Sequence, residues 1–213
     1  GDELVVVDPA KLHVVDRVAV GHLPTAVVAG FGAVWILNRG DGTLSHVDAR
    51  TRRLVATLAP DAIPNDLTID RHGVWIAGPP RGAVRPPLEV ADLERVDPRT
   101  GAVDRRFETT TGASALAAGG GSLWSTGYLG RGVRGAARSD ALTGAMSKVD
   151  IEIYGDLVAA DDEAVYWIAS IGSRVARVST RTGRLTASMT LATDASLAAG
   201  NVPPNPTDAA VGG

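Results

Sequence analysis

Asn65, Asp66, Asp156, Asn205 and Asp208 are oxygen-donor side chains that stand at or beside the start of short apolar runs. Carboxylate and amide oxygens gathered from separate segments are what a hard cation such as Ca²⁺ or Mg²⁺ takes. Water activated on that ion would be the nucleophile, because no Ser-His-Asp or Cys-His arrangement is in evidence. His22 and Tyr154 stand at comparable places and join the set as ligand contacts. The alternative is that these polar residues cap turns and line a water-filled channel.

A second group is basic. The stretches "GPPRGAVRPPLEVAD" (78–92) and "GYLGRGVRGAARSD" (127–140) carry Arg81, Arg85, Tyr128, Arg131, Arg134 and Arg138 against Glu89, Asp92 and Asp140. Guanidinium forks match phosphate and carboxylate geometry, so such a rim suits a small anionic ligand, a carboxylate-rich glycan, or an acidic peptide or protein surface. Pro79, Pro80, Pro86 and Pro87 would stiffen it and lower the ordering entropy of binding. The alternative is a pair of solvated insertions.

Both groups need a scaffold, and the chain repeats one. Trp35, Trp75, Trp124 and Trp167 are separated by 40, 49 and 43 residues, in the contexts "GAVWILN", "HGVWIAG", "GSLWSTG" and "AVYWIAS". A second marker follows each: "VDARTR" at 47, "VDPRTG" at 96, "SDALTG" at 139 and "VSTRTG" at 178, with a fifth copy, "VDPAKL", at 7. Between the markers lie short runs rich in Val, Ile, Leu and Thr, bounded by Gly, Asp, Asn or Arg-Thr, which read as antiparallel strands joined by tight turns. Four strands in each 40 to 49 residues, repeated, predict an all-β fold of β-propeller blades. The tryptophans then supply packing area between blades, and the marker aspartates build turns by accepting backbone N–H groups.

The predicted repeats run 1–22, 23–62, 63–111, 112–153 and 154–200, with 201–213 starting or closing the ring as one propeller domain. The first supplies only the third and fourth strands, whereas "NPTDAAVGG" at the end resembles a first strand. Either the ends close a ring of five blade positions, or the chain is a window of a propeller of six or seven blades.

The blade motif, "GAVWILN" followed by "GTLSHVDARTRRLVATL" and its copies, resembles the repeat of the YVTN, NHL and virginiamycin B lyase-like propellers. That resemblance implies a bacterial, extracytoplasmic protein or sensor domain, and for the lyases a Mg²⁺-assisted ring opening by a His and a Glu. Here His13, His22, His46 and His72 are expected in blade starts and turns, and none forms a convincing pair with a Glu. The remaining composition narrows the classes. Cysteine is absent, which excludes disulfides and thiol chemistry. A net charge of -3 gives no general attraction to nucleic acid or anionic lipid. No apolar run of 18 residues offers a transmembrane helix, and no signal peptide is visible at the N-terminus. The expectation is a non-catalytic, cofactor-free binding or sensor module that meets a protein, peptide or small anionic ligand through its loop face. A metal-dependent lyase or lactonase at the channel mouth is the second reading. A structural module beside other domains of a longer protein is the third.

Overall fold

In the second strand of each repeat the apolar residues do not alternate with polar ones, which implies burial on both faces. The computed structural model describes residues 1–82, 91–109, 112–128, 134–149, 157–169 and 174–190. It agrees: β4 (Ala33–Asn38) and β8 (Gly73–Gly78) are buried almost throughout. Each lies second in a four-stranded antiparallel meander. The first runs β3 (Pro24–Gly30), β4, β5 (Thr43–Asp48) and β6 (Arg53–Leu58). The next runs β7 (Asp66–Asp70), β8, β9 (Ala91–Val96) and β10 (Val103–Thr109). A third is made of β11 (Ala115–Gly119), β12 (Ser122–Tyr128), β13 (Arg134–Asp140) and β14 (Met146–Val149). The fourth comprises β15 (Leu157–Ala160), β16 (Ala164–Ala169), β17 (Arg174–Ser179) and β18 (Leu185–Thr190). Before them, β1 (Glu3–Asp8) and β2 (His13–Ala19) form a sheet of two. No helix occurs among the described residues.

Burial peaks at the second strand: β4 and β8 are buried almost throughout, the third strands β5 and β9 largely so, and the fourth strand faces solvent, as in β6 and β18. The four tryptophans are completely buried. The chain divides into two compact units, one holding β1 to β10 and the other β11 to β18. In the first, Trp35, Leu37, Leu44, Leu67, Val74 and Ile76 form the core between two sheets, and Val18 with Leu4 packs on Ile36 and Val47. In the second, Trp124 meets Trp167 edge to face, ring centroids 5.8 Å apart, among small residues such as Ala117, Ala136 and Ala176.

The marker aspartates are turn builders. Asp48 Oδ1 accepts from the Thr51 N–H at 2.6 Å and its hydroxyl at 2.8 Å. Asp97 Oδ1 accepts from Arg99 N at 2.7 Å, and Asp140 Oδ1 from Thr143 N at 2.8 Å. Asp8 Oδ1 takes Ala10 N at 2.8 Å. Those backbone N–H donors are the leading cause that holds the Asp48, Asp97 and Asp140 carboxyls below the ordinary value. The turn closes when the fifth residue returns its N–H to the marker carbonyl: Leu12 to Asp8, Arg52 to Asp48, Gly101 to Asp97, Gly144 to Asp140 and Gly183 to Ser179, at 2.8 to 2.9 Å. All five have positive φ, from 52° at Leu12 to 72° at Gly101 and Gly144. Glycine meets that geometry without strain, whereas Leu12 and Arg52 do not.

One expectation needs correction. The stretch 127–140 is mostly strand: β12 extends through Tyr128 and β13 begins at Arg134, so Arg134 and Arg138 stand in a sheet and not in a loop. "RGAARSD" is poor in strand formers, and pairing of β13 with both β12 and β14 overrides that weak local preference. His46 likewise lies within β5, stacked on Trp35 at 4.1 Å, and not in a turn.

Arg52→Gly should raise stability by about 0.5 kcal/mol, net of glycine's greater freedom in the unfolded chain. That corresponds to a melting temperature about 1–2 °C higher. Gly101→Ala should lower it, since the new Cβ also presses on Leu58. A thermal melt of both variants decides; a less stable Arg52→Gly protein overturns this account of the turn.

Candidate functional site

The connection that leaves β6 reads "APDAIPND", and its two prolines keep it extended as it crosses to the next sheet. Ala62 forms a bridge with Pro80, and the Ile63 and Asn65 N–H groups donate to the Pro79 and Ala77 carbonyls, each at 2.8 Å. The crossing leaves the Asp61 and Ala62 N–H groups pointing at β9, where Glu94 receives them, both at 3.1 Å. Glu94 is completely buried. Arg106, from β10, donates to Asp92 at 2.8 Å, lies 3.1 Å from Glu94, and is 3.6 Å from Asp61. Three carboxylates thus share one guanidinium. Asp61 is the exposed member, its side chain 74% accessible.

Burial pushes the Glu94 carboxyl above its usual value, against the pull of the Ala62 N–H and Arg106. The backbone bonds and the guanidinium hold the charge, and low dielectric opposes it. Beside this network lies a cleft of about 390 Å³ lined by Leu44, Leu58, Pro60, Val96 and Val103, with Asp61 on its wall. The blade end therefore joins a cleft of mixed aliphatic and polar lining to an excess of acid.

Arg81 takes part in the same crossing. Its guanidinium donates to the Gly42 carbonyl at 2.9 Å and to Pro60 O at 3.2 Å, tying the β4–β5 turn to the connection. Arg138 donates to Ser122 Oγ at 2.9 Å and lies over the Trp124 ring, 5.3 Å from its centroid. Both are held by internal partners. Arg85, Arg131, Tyr154, Asp156, Asn205 and Asp208 lie outside the described residues, and for Tyr128 and Arg134 only the strand positions are described. His22 Nδ1 is 3.1 Å from Asp2 Oδ2, and its N–H donates to Asp41 Oδ2 at 2.8 Å. Asn65 serves the crossing through its backbone, and Asp66 Oδ1 accepts the Leu67 N–H at 2.8 Å. Among the described residues, no three His, Asp or Glu side chains are gathered so as to hold a metal ion.

Sequence reasoning missed Glu94, Asp61 and Arg106. A signal existed: counted back from the marker, Glu94 holds the place of Ser45, Ala137 and Ala176, a position small and buried in each other four-stranded sheet. A carboxylate there must have partners.

No protein-family model and no curated protein matches the chain. Solved structures do. A Kuenenia stuttgartiensis hydrazine synthase matches 84% of this chain at 13% identity with a TM-score of 0.68. The dihydro-heme d1 dehydrogenase NirN, in complex with DHE, matches 89% at 15% identity and 0.61. Kluyveromyces lactis Hsv2 matches 89% at 11% identity and 0.61. All three are β-propeller proteins. This chain is a β-propeller fold of four-stranded blades. It spans 58%, 42% and 58% of those propeller-containing chains.

The two kinds of carboxylate in this propeller respond oppositely to pH. Asp48, Asp97 and Asp140 have depressed folded values, so their stabilisation is complete above the unfolded carboxylate value and is lost as pH falls through the folded one. Glu94 has a raised value, so its contribution is greatest below the unfolded value and is lost as pH rises through the folded one. The stability difference between the native protein and Glu94→Gln should therefore shrink as pH rises from about 4 to 7. Urea melts across that range measure it; a difference that grows with pH means that Arg106 outweighs burial.

Proposed function

We propose that the chain is a non-catalytic binding module of the YVTN and NHL-like propeller type, in a bacterial extracytoplasmic protein, and that it docks a peptide segment of a protein partner on its loop face. The carrying observation is the cleft beside Asp61. Leu44, Leu58, Val96 and Val103 supply aliphatic side chains among polar groups such as Thr57, its volume of about 390 Å³ admits an apolar side chain, and an acid-rich network adjoins it. Charge complementarity then favours a basic group next to the apolar anchor. Arg81, the described arginine of the 78–92 connection, is held by the Gly42 and Pro60 carbonyls, which favours this partner over an anionic one.

The test is a titration with two capped hexapeptides, Ala-Arg-Leu-Leu-Arg-Ala and Ala-Glu-Leu-Leu-Glu-Ala, followed by fluorescence anisotropy. The basic peptide should bind more tightly, and added salt should narrow the gap. Asp61→Asn should weaken the basic peptide about two- to fivefold, the scale of an exposed ion pair. Equal or tighter binding of the acidic peptide overturns the reading.

A further inference from the structure

We propose that Glu94 is a positioning residue for the cleft beside Asp61, and that adding a proton to it loosens the hold on a basic segment. The effect rests on the peptide-docking reading above, in which Asp61 meets the basic group, and supplies its regulation. Glu94 is completely buried and touches no ligand itself. It acts through the crossing that carries Asp61 and through the guanidinium that Asp61 shares.

The two carboxylate oxygens have different duties. Oε1 receives the Ala62 N–H at 3.1 Å and also stands 3.1 Å from Arg106 Nη2, which favours negative charge there. Oε2 receives the Asp61 N–H, again at 3.1 Å. A proton therefore settles on Oε2. An oxygen that carries a proton is a weaker acceptor than a carboxylate oxygen, so the bond that fixes the Asp61 backbone weakens. Asp61 is the residue that presents an accessible carboxylate on the cleft wall.

The same proton changes how Arg106 is shared. Among the described residues, the charged groups that face Glu94 are Asp61 from the crossing, Asp92 from its own strand and Arg106 from β10; its partner on β8 is the apolar Ile76. With Glu94 ionised, one guanidinium serves three carboxylates. With Glu94 neutral, Arg106 is divided between Asp92 and Asp61, so Asp61 is more fully matched and attracts a partner's guanidinium less. Both changes weaken binding. Burial holds the Glu94 carboxyl above its usual value, which brings the change into a range above that of an ordinary carboxylate. The ionised form that burial disfavours is the form that binds.

The probe is the labelled hexapeptide Ala-Arg-Leu-Leu-Arg-Ala, whose arginines stay charged throughout, titrated onto the full chain from about pH 7.5 to about pH 5 at constant ionic strength. The native protein should lose about two- to threefold in affinity over that range, within the scale of one exposed ion pair. Glu94→Gln should bind about two- to threefold more weakly than the native protein at the upper end and match it at the lower; any slope from the four histidines is common to both proteins. A second readout needs no variant. By reciprocity, saturating peptide should lower the Glu94 titration midpoint, followed by carbon NMR of the glutamate carboxyls, by about 0.3 to 0.5 of a pH unit. Equal affinity at both ends of the range, a Glu94→Gln profile as steep as the native one, or an unmoved midpoint overturns the role of Glu94 and leaves peptide docking intact. Absence of binding at the upper end overturns both.

Discussion

The complete burial of the tryptophan strand is the constraint on which the rest of this structure depends. A strand covered on both faces and paired on both edges can be apolar almost throughout, as β8 is and as β4 is up to Asn38. That condition needs a sheet to either side and a third strand alongside. The third strand is drawn in with it, which is why Leu44, Leu93 and Val47 are as hidden as the tryptophans. The fourth strand is left at the rim, and its alternation returns. A graded burial of this kind lets one short repeat build a stable layer from few aromatic residues.

The same constraint explains where polar groups are tolerated. Trp75 Nε1 reaches Asp70 Oδ1 at 3.0 Å and Trp124 Nε1 reaches the Gly119 carbonyl at 3.1 Å, so two indoles use their own first hairpin. Glu94 is the sharper case. It occupies a buried third-strand position and is tolerable only because the crossing connection turns two N–H groups toward it and Arg106 lies within reach. The acid-rich blade end is thus a consequence of the same packing that hides the small residues at Ser45, Ala137 and Ala176.

Similarity to propeller proteins as different as a hydrazine synthase, a dihydro-heme d1 dehydrogenase and Hsv2, at 10–15% identity, speaks for the scaffold and for no activity. Chemistry on such a scaffold resides in positions that break the repeat. Asp61 and Glu94 break it, and neither belongs to the residues whose types first suggested a metal or an anion site.

What the sequence determined by itself was whatever local chemistry governs. The spacing of Trp35, Trp75, Trp124 and Trp167 and of the Asp markers is a property of contiguous residues, as is the turn that Asp48 or Asp140 closes within three or four positions. Strand order and turn geometry could therefore be read without coordinates, and so could the two-stranded start. Tertiary structure decided the fate of individual charged groups, because their partners are remote. Glu94 meets N–H groups 32 and 33 residues upstream, and Arg81 meets a carbonyl 39 residues away. No pattern in "LERVD" or "PPRG" carries that information. Folding alone made one arginine a strut between carbonyls and one glutamate a buried charge.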